Sequence, residues 1–596
     1  MIAGPQISRT ELESAAAGAQ PLRPERASRL PGMPSRRIVC ASILGAATLV
    51  ILPWLLRGYT AGHDTSFHIN WWLEFSQQFR EGIFHPRWAE LAYRGYGEPA
   101  FVFYPPLSLY LGGILAWLLP FHLVLGAYVW LVMALAGFSF YYLCREFFDP
   151  RAALFGAVVY VLNPYHLLEV HARCSMAELL VSASLPLLML AIYRLRNQGR
   201  GKIGVAALFF AIVVLSNIPL AVVTAYGALV FMVALTVVRK SGIGPLARLA
   251  GAGALGAGLA GFLLLPAWYE KRWVLASVHA VVLPETQLVR FGVPHGHWPW
   301  ALAGVEALLI VLGGLACLVC RKMKPRPDAF SGFTALYLAS VVMVLPISAV
   351  IWRLAPALVY VQFPFRWLGM MGLAMSFFVA ACVQHSAKGR IFAGAVLAVS
   401  LATLAGFSVL INTRADVLLP SLQRQFVDGK GYLGWPFVLP REVKIDQFGI
   451  PLNLAPSEPV AAEVTPEGGT PPREGSPFTP WQPSSRLAVT RWTAESREIV
   501  VDALQPVWLR VRLFRYPGWS VYVDGKPSEI VATDARGAVL VQVPAGRSRV
   551  TLLYRRTADQ FWGIMLSLFS ALALLWIAYS RDARVRPVVH ADPVKG

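Results

Sequence analysis

The sequence predicts a polytopic α-helical membrane protein of about 12 to 13 spans, with a small β-sandwich-like domain near its C-terminus and outside the membrane. Three observations predict it. Of 596 residues, 56% are hydrophobic and only 14% charged, with a mean hydropathy of +0.54, which is too apolar for a soluble globule. Apolar runs recur along most of the chain, several close to the 20 or so residues that a helix needs to cross a bilayer. Late in the chain the apolar period changes from helical to strictly alternating, the mark of half-buried strands.

The elements follow in order. Residues 1–37 are polar and rich in Pro and Arg, and no small-residue cleavage site follows the first apolar run, so they read as a disordered cytoplasmic tail rather than a signal peptide. Residues 38–411 form the transmembrane core. Its candidate spans are 38–56, 123–144, 152–162, 176–193, 203–215, 219–238, 249–266, 299–320, 333–351, 365–383 and 391–411, with a last one at 561–579. Between them lie clusters of Lys and Arg at 145–151, 194–202, 239–248, 321–326, 388–390 and 581–586, which the positive-inside rule assigns to the cytoplasm. Each pair of clusters is then separated by two spans. The formal charge of +20, 53 basic residues against 33 acidic, is spent in these small clusters rather than on one face, which argues against nucleic acid as a partner. Residues 101–120 are apolar enough to be a thirteenth span, but a crossing there would invert every later cluster, so this stretch reads as re-entrant or interfacial.

An outer loop is expected at 57–104. Within it Phe67, Trp71, Phe75 and Phe79 recur every four residues among polar ones, which predicts an amphipathic helix lying on the membrane surface. Residues 412–485 read as an extracytoplasmic connection, rich in Pro, Gly, Glu and Ser from Pro451 to Pro483. Residues 486–557 alternate and carry turn signals at Asp524-Gly525 and Pro544-Ala545-Gly546, predicting an extracytoplasmic antiparallel β-domain. A final span at 558–580 and a cytoplasmic tail at 581–596 complete the reading. The six cysteines fall mostly in apolar segments and suggest no disulfide framework.

Acids, histidines and arginines from separated loops are expected on the same outer face, in "GHDTSFH", "EVHARCSMAELL", "PAWYEKRW" and "VYVQFPFRWL". The chain has no "GxxxxGKS" and no strand-preceded "GxGxxG", so a nucleotide-phosphate cradle is not expected. A lipid-linked phosphate suits the composition better. Its site needs an apolar groove, cations for the leaving phosphate and one base.

Together "GHDTSFH", "GIFHPRW", "GYGEPAFVFYPPL", "EVHARCSMAELL", "QFPFRWL" and "YPGWSVYVDGK" resemble bacterial membrane proteins related to pyruvoyl-tetrahydropterin synthase and the YfhO-type family, similar in layout to the GT-C glycosyltransferases. The resemblance runs from Ile38 to Tyr579. The pterin name implies no chemistry here, because the zinc-binding histidine set of that soluble enzyme is missing. The GT-C likeness implies a GT-C-like core, a polyprenyl-phosphate sugar donor and an essential acidic residue in the first outer loop, where this chain has Asp64. Many members carry two acids at close spacing. This chain has "GHD" alone, so no cofactor is assigned and a divalent metal is left open.

The resulting expectation is a glycosyltransferase of the bacterial inner membrane, its active face outward, moving a sugar from a lipid-linked donor to an extracytoplasmic glycan, lipid or protein. Asp64 is the expected base or acceptor-positioning carboxylate. Arg173 and Arg366, with His68 and Lys271, are expected to hold the phosphate, since Arg is suited to bidentate contact. Glu178 would orient Arg173, and Glu98 would be a second acid. A competing reading of "DTSF" makes Asp64 a helix N-cap, worth about 1 kcal/mol. The competing functions are a transporter or flippase of lipid-linked glycans, which calls for inverted repeats and midplane charges, and a noncatalytic envelope assembly protein.

Overall fold

The computed structural model describes residues 34–59, 62–196, 200–275, 297–321, 326–410, 431–432, 434–435, 438–441, 443, 462–466, 485–530, 532–533 and 537–582. The helices in chain order are α1 (Arg36–Arg57), α2 (Thr65–Arg80), α3 (Pro106–Leu118), α4 (Phe121–Cys144), α5 (Pro150–Val161), α6 (Met176–Leu195), α7 (Arg200–Ser216), α8 (Ile218–Val238), α9 (Gly244–Leu259), α10 (Gly261–Glu270), α11 (His297–Cys320), α12 (Ala329–Val344), α13 (Ala349–Leu354), α14 (Leu368–His385), α15 (Ala387–Leu410) and α16 (Ala558–Asp582). Several start at side chains that satisfy the free amides of a first turn. Asp149 accepts from Arg151 N and Ala152 N ahead of α5, and Asn217 accepts from Leu220 N ahead of α8.

Among the described residues nine helical stretches are long and apolar enough to cross a membrane: α1, α4, Pro150–Arg173, α6, α8, α11, Pro364–His385, α15 and α16. Two more result if α9 with the stretch Gly261–Trp273, bent by 74°, and α12 with Pro346–Leu354, bent by 89°, each count as one span. The polytopic helical class therefore holds, while the count is lower than the twelve or thirteen expected. Helix α7 has 17 residues and α3 has 13. At 1.5 Å per residue they reach about 26 and 20 Å, short of a hydrocarbon core about 30 Å thick.

The surface-helix expectation for α2 is overturned. Trp71, Trp72 and Phe75 are buried, and so are His68, Asn70, Glu74 and Gln78 on the polar side. The helix is enclosed by protein. Trp72 stacks on Tyr128 of α4 with ring centroids 4.6 Å apart, and Phe75 meets Phe101 edge-on at 4.7 Å. Its aromatic stripe found protein rather than lipid.

The strands are β1 (Ala462–Pro466), β2 (Ser485–Thr493), β3 (Ser496–Ala503), β4 (Val507–Phe514), β5 (Trp519–Val523), β6 (Lys526–Ser528), β7 (Ala532–Thr533), β8 (Ala538–Val543) and β9 (Gly546–Tyr554). They pair antiparallel in two sheets, ordered β1-β4-β8-β7 and β2-β3-β9-β5-β6. The inward side chains of alternate positions, including Ile499, Val501, Leu509, Val511, Val539, Val541, Val550 and Leu552, are buried. One turn signal sits at a hairpin: Asp524 and Gly525 have positive φ of 49° and 79° between β5 and β6, as a tight hairpin turn demands. The other, Pro544-Ala545-Gly546, with Gly546 at φ 101°, carries the chain from β8 in one sheet to β9 in the other. Strand β1 lies within the stretch read from composition as a linker. The domain is fastened to the segment 81–104 by Phe514 N donating to Tyr96 O at 3.0 Å and by an ion pair between buried Arg497 and Glu90 at 3.2 Å.

Candidate functional site

Helix termini from one end of the bundle frame a cavity of about 900 Å³. It is bounded by the start of α2, the turn before α6, the start of α8, the segment after α10, the turn before α14 and residues of 435–441. Six of the seven residues picked out from the sequence line it: Asp64, His68, Arg173, Glu178, Lys271 and Arg366.

Asp64 occupies the N-cap position of α2, yet its side chain makes no capping hydrogen bond. Its backbone N donates to Arg173 O at 3.1 Å, which ties the start of α2 to the turn before α6. The carboxylate is therefore not committed to the helix end. His68, one turn on, accepts from Met176 N through Nε2 at 3.2 Å. Burial pushes its pKa down to about 4, so the ring is neutral near pH 7 and its proton resides on Nδ1, which has no partner among the described residues.

Behind these lies a closed ion network. Arg173 ends a one-turn π-helix, Glu169–Arg173, a wide turn often found at functional sites. It donates to Glu169 at 2.8 and 2.9 Å and to Glu178 at 2.7 and 3.0 Å. Arg366 donates to the same Glu178 at 2.9 and 2.7 Å, and also to Val361 O. Two guanidinium groups thus meet two carboxylates, all buried. Gln362, also in the lining, has φ 65° and ψ −49° at the centre of a γ-turn closed by Phe363 N donating to Val361 O at 2.7 Å.

The remaining cations of the lining are Lys271, Arg272 and Arg441, all exposed on the cavity side. Among the described residues none of the three forms an ion pair. Arg272 lies over the Tyr269 ring at 3.6 Å, and Arg441 Nε donates to Val274 O at 3.2 Å. The walls are otherwise apolar and aromatic, with Trp71, Tyr104 and Trp435 in mutual edge contact at 4.6 to 5.9 Å.

Glu98 does not line the cavity. It is fully buried and accepts from Trp435 N at 2.9 and 3.0 Å, and burial holds its carboxyl well above the usual carboxylate range. It supports the Trp435 wall from behind. Nor do the described residues of the site fit a divalent cation. Glu169 and Glu178 already accept from arginines, and among the described residues no group of three or more His, Cys, Asp or Glu is arranged to hold a metal ion.

The family described as 6-pyruvoyl-tetrahydropterin synthase related domain, membrane protein, matches residues 101–414, more than half of the chain. The chain belongs to this family. It is thus a multi-pass membrane protein by family as well as by its helices. Among curated proteins none matches. Three solved structures align in part. Arabinofuranosyltransferase AftD from mycobacteria aligns over 64% of this chain and 27% of its own, with 16% identity and a TM-score of 0.40. The Archaeoglobus fulgidus oligosaccharyltransferase aligns over 65% of this chain and 56% of its own, at 15% identity and TM-score 0.36. ArnT from Cupriavidus metallidurans, solved with undecaprenyl phosphate bound, aligns over 59% and 78%, at 12% identity and TM-score 0.29. This family member spans little more than a quarter of AftD and just over half of the oligosaccharyltransferase. Likeness of that degree does not fix an activity.

Proposed function

We propose that the chain is a membrane glycosyltransferase that moves a sugar from a polyprenyl-phosphate donor to an extracytoplasmic hydroxyl, working at the outer face of the bacterial inner membrane. One observation carries the reading: a single cavity at the helix ends joins Asp64, whose carboxylate does not cap its helix, to Lys271, Arg272 and Arg441, which form no ion pair among the described residues, between apolar walls. An amphiphilic anion fits such a space, with its tail against Ile218, Pro219, Val359 and Phe363 and its head at the cations.

The chemistry follows from the charge balance. Arg173 and Arg366 are offset by Glu169 and Glu178, so the phosphate role expected of them passes to Lys271, Arg272 and Arg441. Asp64 takes the acceptor's proton as that oxygen bonds to the anomeric carbon. The bond from that carbon to the phosphate oxygen breaks, its electron pair stays on the phosphate, and the three cations stabilise the charge that grows there. His68 donates through Nδ1–H to a substrate oxygen rather than acting as a base. The ion network holds the turns that carry Asp64 and Gln362 in place.

The test uses purified protein, a radiolabelled polyprenyl-phosphate sugar and the Asp64→Asn variant, which keeps size and hydrogen-bonding capacity. Transfer should fall by about 10²- to 10⁴-fold with normal expression. Transfer at near wild-type rate by Asp64→Asn removes the base assignment. The two bent spans are what a flippase would also have. Label that crosses vesicles unchanged, with none passed to an acceptor, favours that reading instead.

A further inference from the structure

The motif "YPGW", residues 516–519, plays no part in the chemistry above, yet it reaches the cavity's cations from the β-domain. Tyr516 lies between β4 and β5, in a turn closed by Trp519 N donating to Tyr516 O at 3.0 Å and Arg555 N donating to Gly518 O at 2.7 Å. A Cβ at Gly518 would lie 2.6 Å from the Tyr554 ring, so glycine is required there. The Tyr516 hydroxyl donates to the fully buried carboxylate of Glu270, and its ring meets Trp273 edge-on at 5.7 Å. Glu270 and Trp273 are the residues on either side of Lys271 and Arg272. One tyrosine therefore braces both ends of the cationic turn.

The brace is reinforced at the start of α16, where Gln560 Nε2 and Thr557 Oγ1 both donate to Glu270 Oε1, at 3.0 and 3.4 Å. The third cation joins the same structure. Leu275 N donates to Leu439 O at 2.9 Å and Arg441 N to Trp273 O at 3.0 Å, so a short two-segment clasp carries all three charges. An exposed Lys or Arg otherwise spreads its charge over many rotamers, and ordering each such side chain costs free energy on binding. Fixing the backbone beneath them lowers that cost.

We infer that the β-domain braces the phosphate subsite from behind, with Tyr516 and Glu270 as positioning residues for Lys271, Arg272 and Arg441. This rests on the reading of those cations as phosphate ligands. The test measures binding of a polyprenyl monophosphate to the full chain in nanodiscs, for Tyr516→Phe, for Lys271→Ala with Arg272→Ala, and for the three changes combined. Tyr516→Phe, which keeps the ring on Trp273, should weaken binding about tenfold, and less than twofold when added to the Lys271→Ala/Arg272→Ala chain. Thr557→Val, acting on the same carboxylate from the other side, should weaken it in the same direction. Binding by Tyr516→Phe within twofold of the unaltered protein, or a Tyr516→Phe factor carried in full onto the double variant, overturns the inference and leaves the cation reading intact. Unchanged binding by Lys271→Ala/Arg272→Ala overturns both.

Discussion

Glu178 serves two arginines from distant parts of the chain, Arg173 five residues before it and Arg366 from the turn before α14. All three are largely buried, so removing the negative charge the two arginines share leaves Arg366 with no ion-pair partner and Arg173 with Glu169 alone among the described residues. Breaking a buried ion pair by removing one partner costs about 3–5 kcal/mol. Glu178→Gln should therefore lower thermal stability in detergent by that order, whatever it does to turnover. A melting temperature unchanged from the unaltered protein would show that the network is not under that constraint. Arg173, Glu178 and Arg366 were visible in the sequence because charge beside apolar runs has to be paired or face a cavity, whereas Glu169 was not singled out. Glu98 carries the same signal, although its partner is the Trp435 amide, and sequence context cannot distinguish a carboxylate facing a cavity from one facing backbone. Arg441 was missed for the opposite reason: it lies in a stretch with no period to place it.

At the scale of elements, the four-residue aromatic period of α2 gave the helix but not what covers it. Its close partner is α3, where glycine lets the helices approach. A Cβ on Gly112 would overlap the Trp72 ring, and one on Gly113 would lie 2.8 Å from Phe75 Cβ. Overpacking of such a contact typically costs about 1–3 kcal/mol, so Gly112→Ala should destabilise by that much. Gly45, inside α1 with nothing within 4 Å of its added Cβ, provides the contrast. There the change to alanine should be neutral or stabilising by up to about 1 kcal/mol, because alanine loses less backbone freedom in a helix. Parallel melts of the two variants check the pair, and equal effects would mean that the α2–α3 contact is not tight. The bends in α9–α10 and α12–α13 were missed although each has a marker. The α9–α10 break at Ala260 is flanked by Gly258 and Gly261, and at the other Pro346 follows Leu345, where proline disfavours helix in the residue before it.

The whole molecule encloses α2 between the helical bundle, the segment 81–104 and the β-domain, and this arrangement makes its stability depend on pH. Glu74 lies on the buried side of α2, with Oε1 accepting from Leu91 N at 3.2 Å. Burial pushes its pKa up to about 8 from the ordinary 4.5, and the nearby charge of Glu90 adds to the rise. Below about pH 4.5 both the folded and unfolded chains keep this proton, so its contribution is fully present. As pH rises toward 8 the unfolded chain releases the proton while the folded chain retains it, and stability falls by about 1.4 kcal/mol per pH unit. Above pH 8 the loss is complete. Glu74→Gln removes the titration while keeping the shape, so the variant should match the unaltered protein near pH 5 and become progressively the more stable of the two by pH 8. Denaturant unfolding of both proteins at pH 5, 6.5 and 8 reads this directly. A difference that stays flat across that range would mean that the β-domain and the segment 81–104 leave Glu74 open to water, and that the enclosure of α2 is looser than the packing implies.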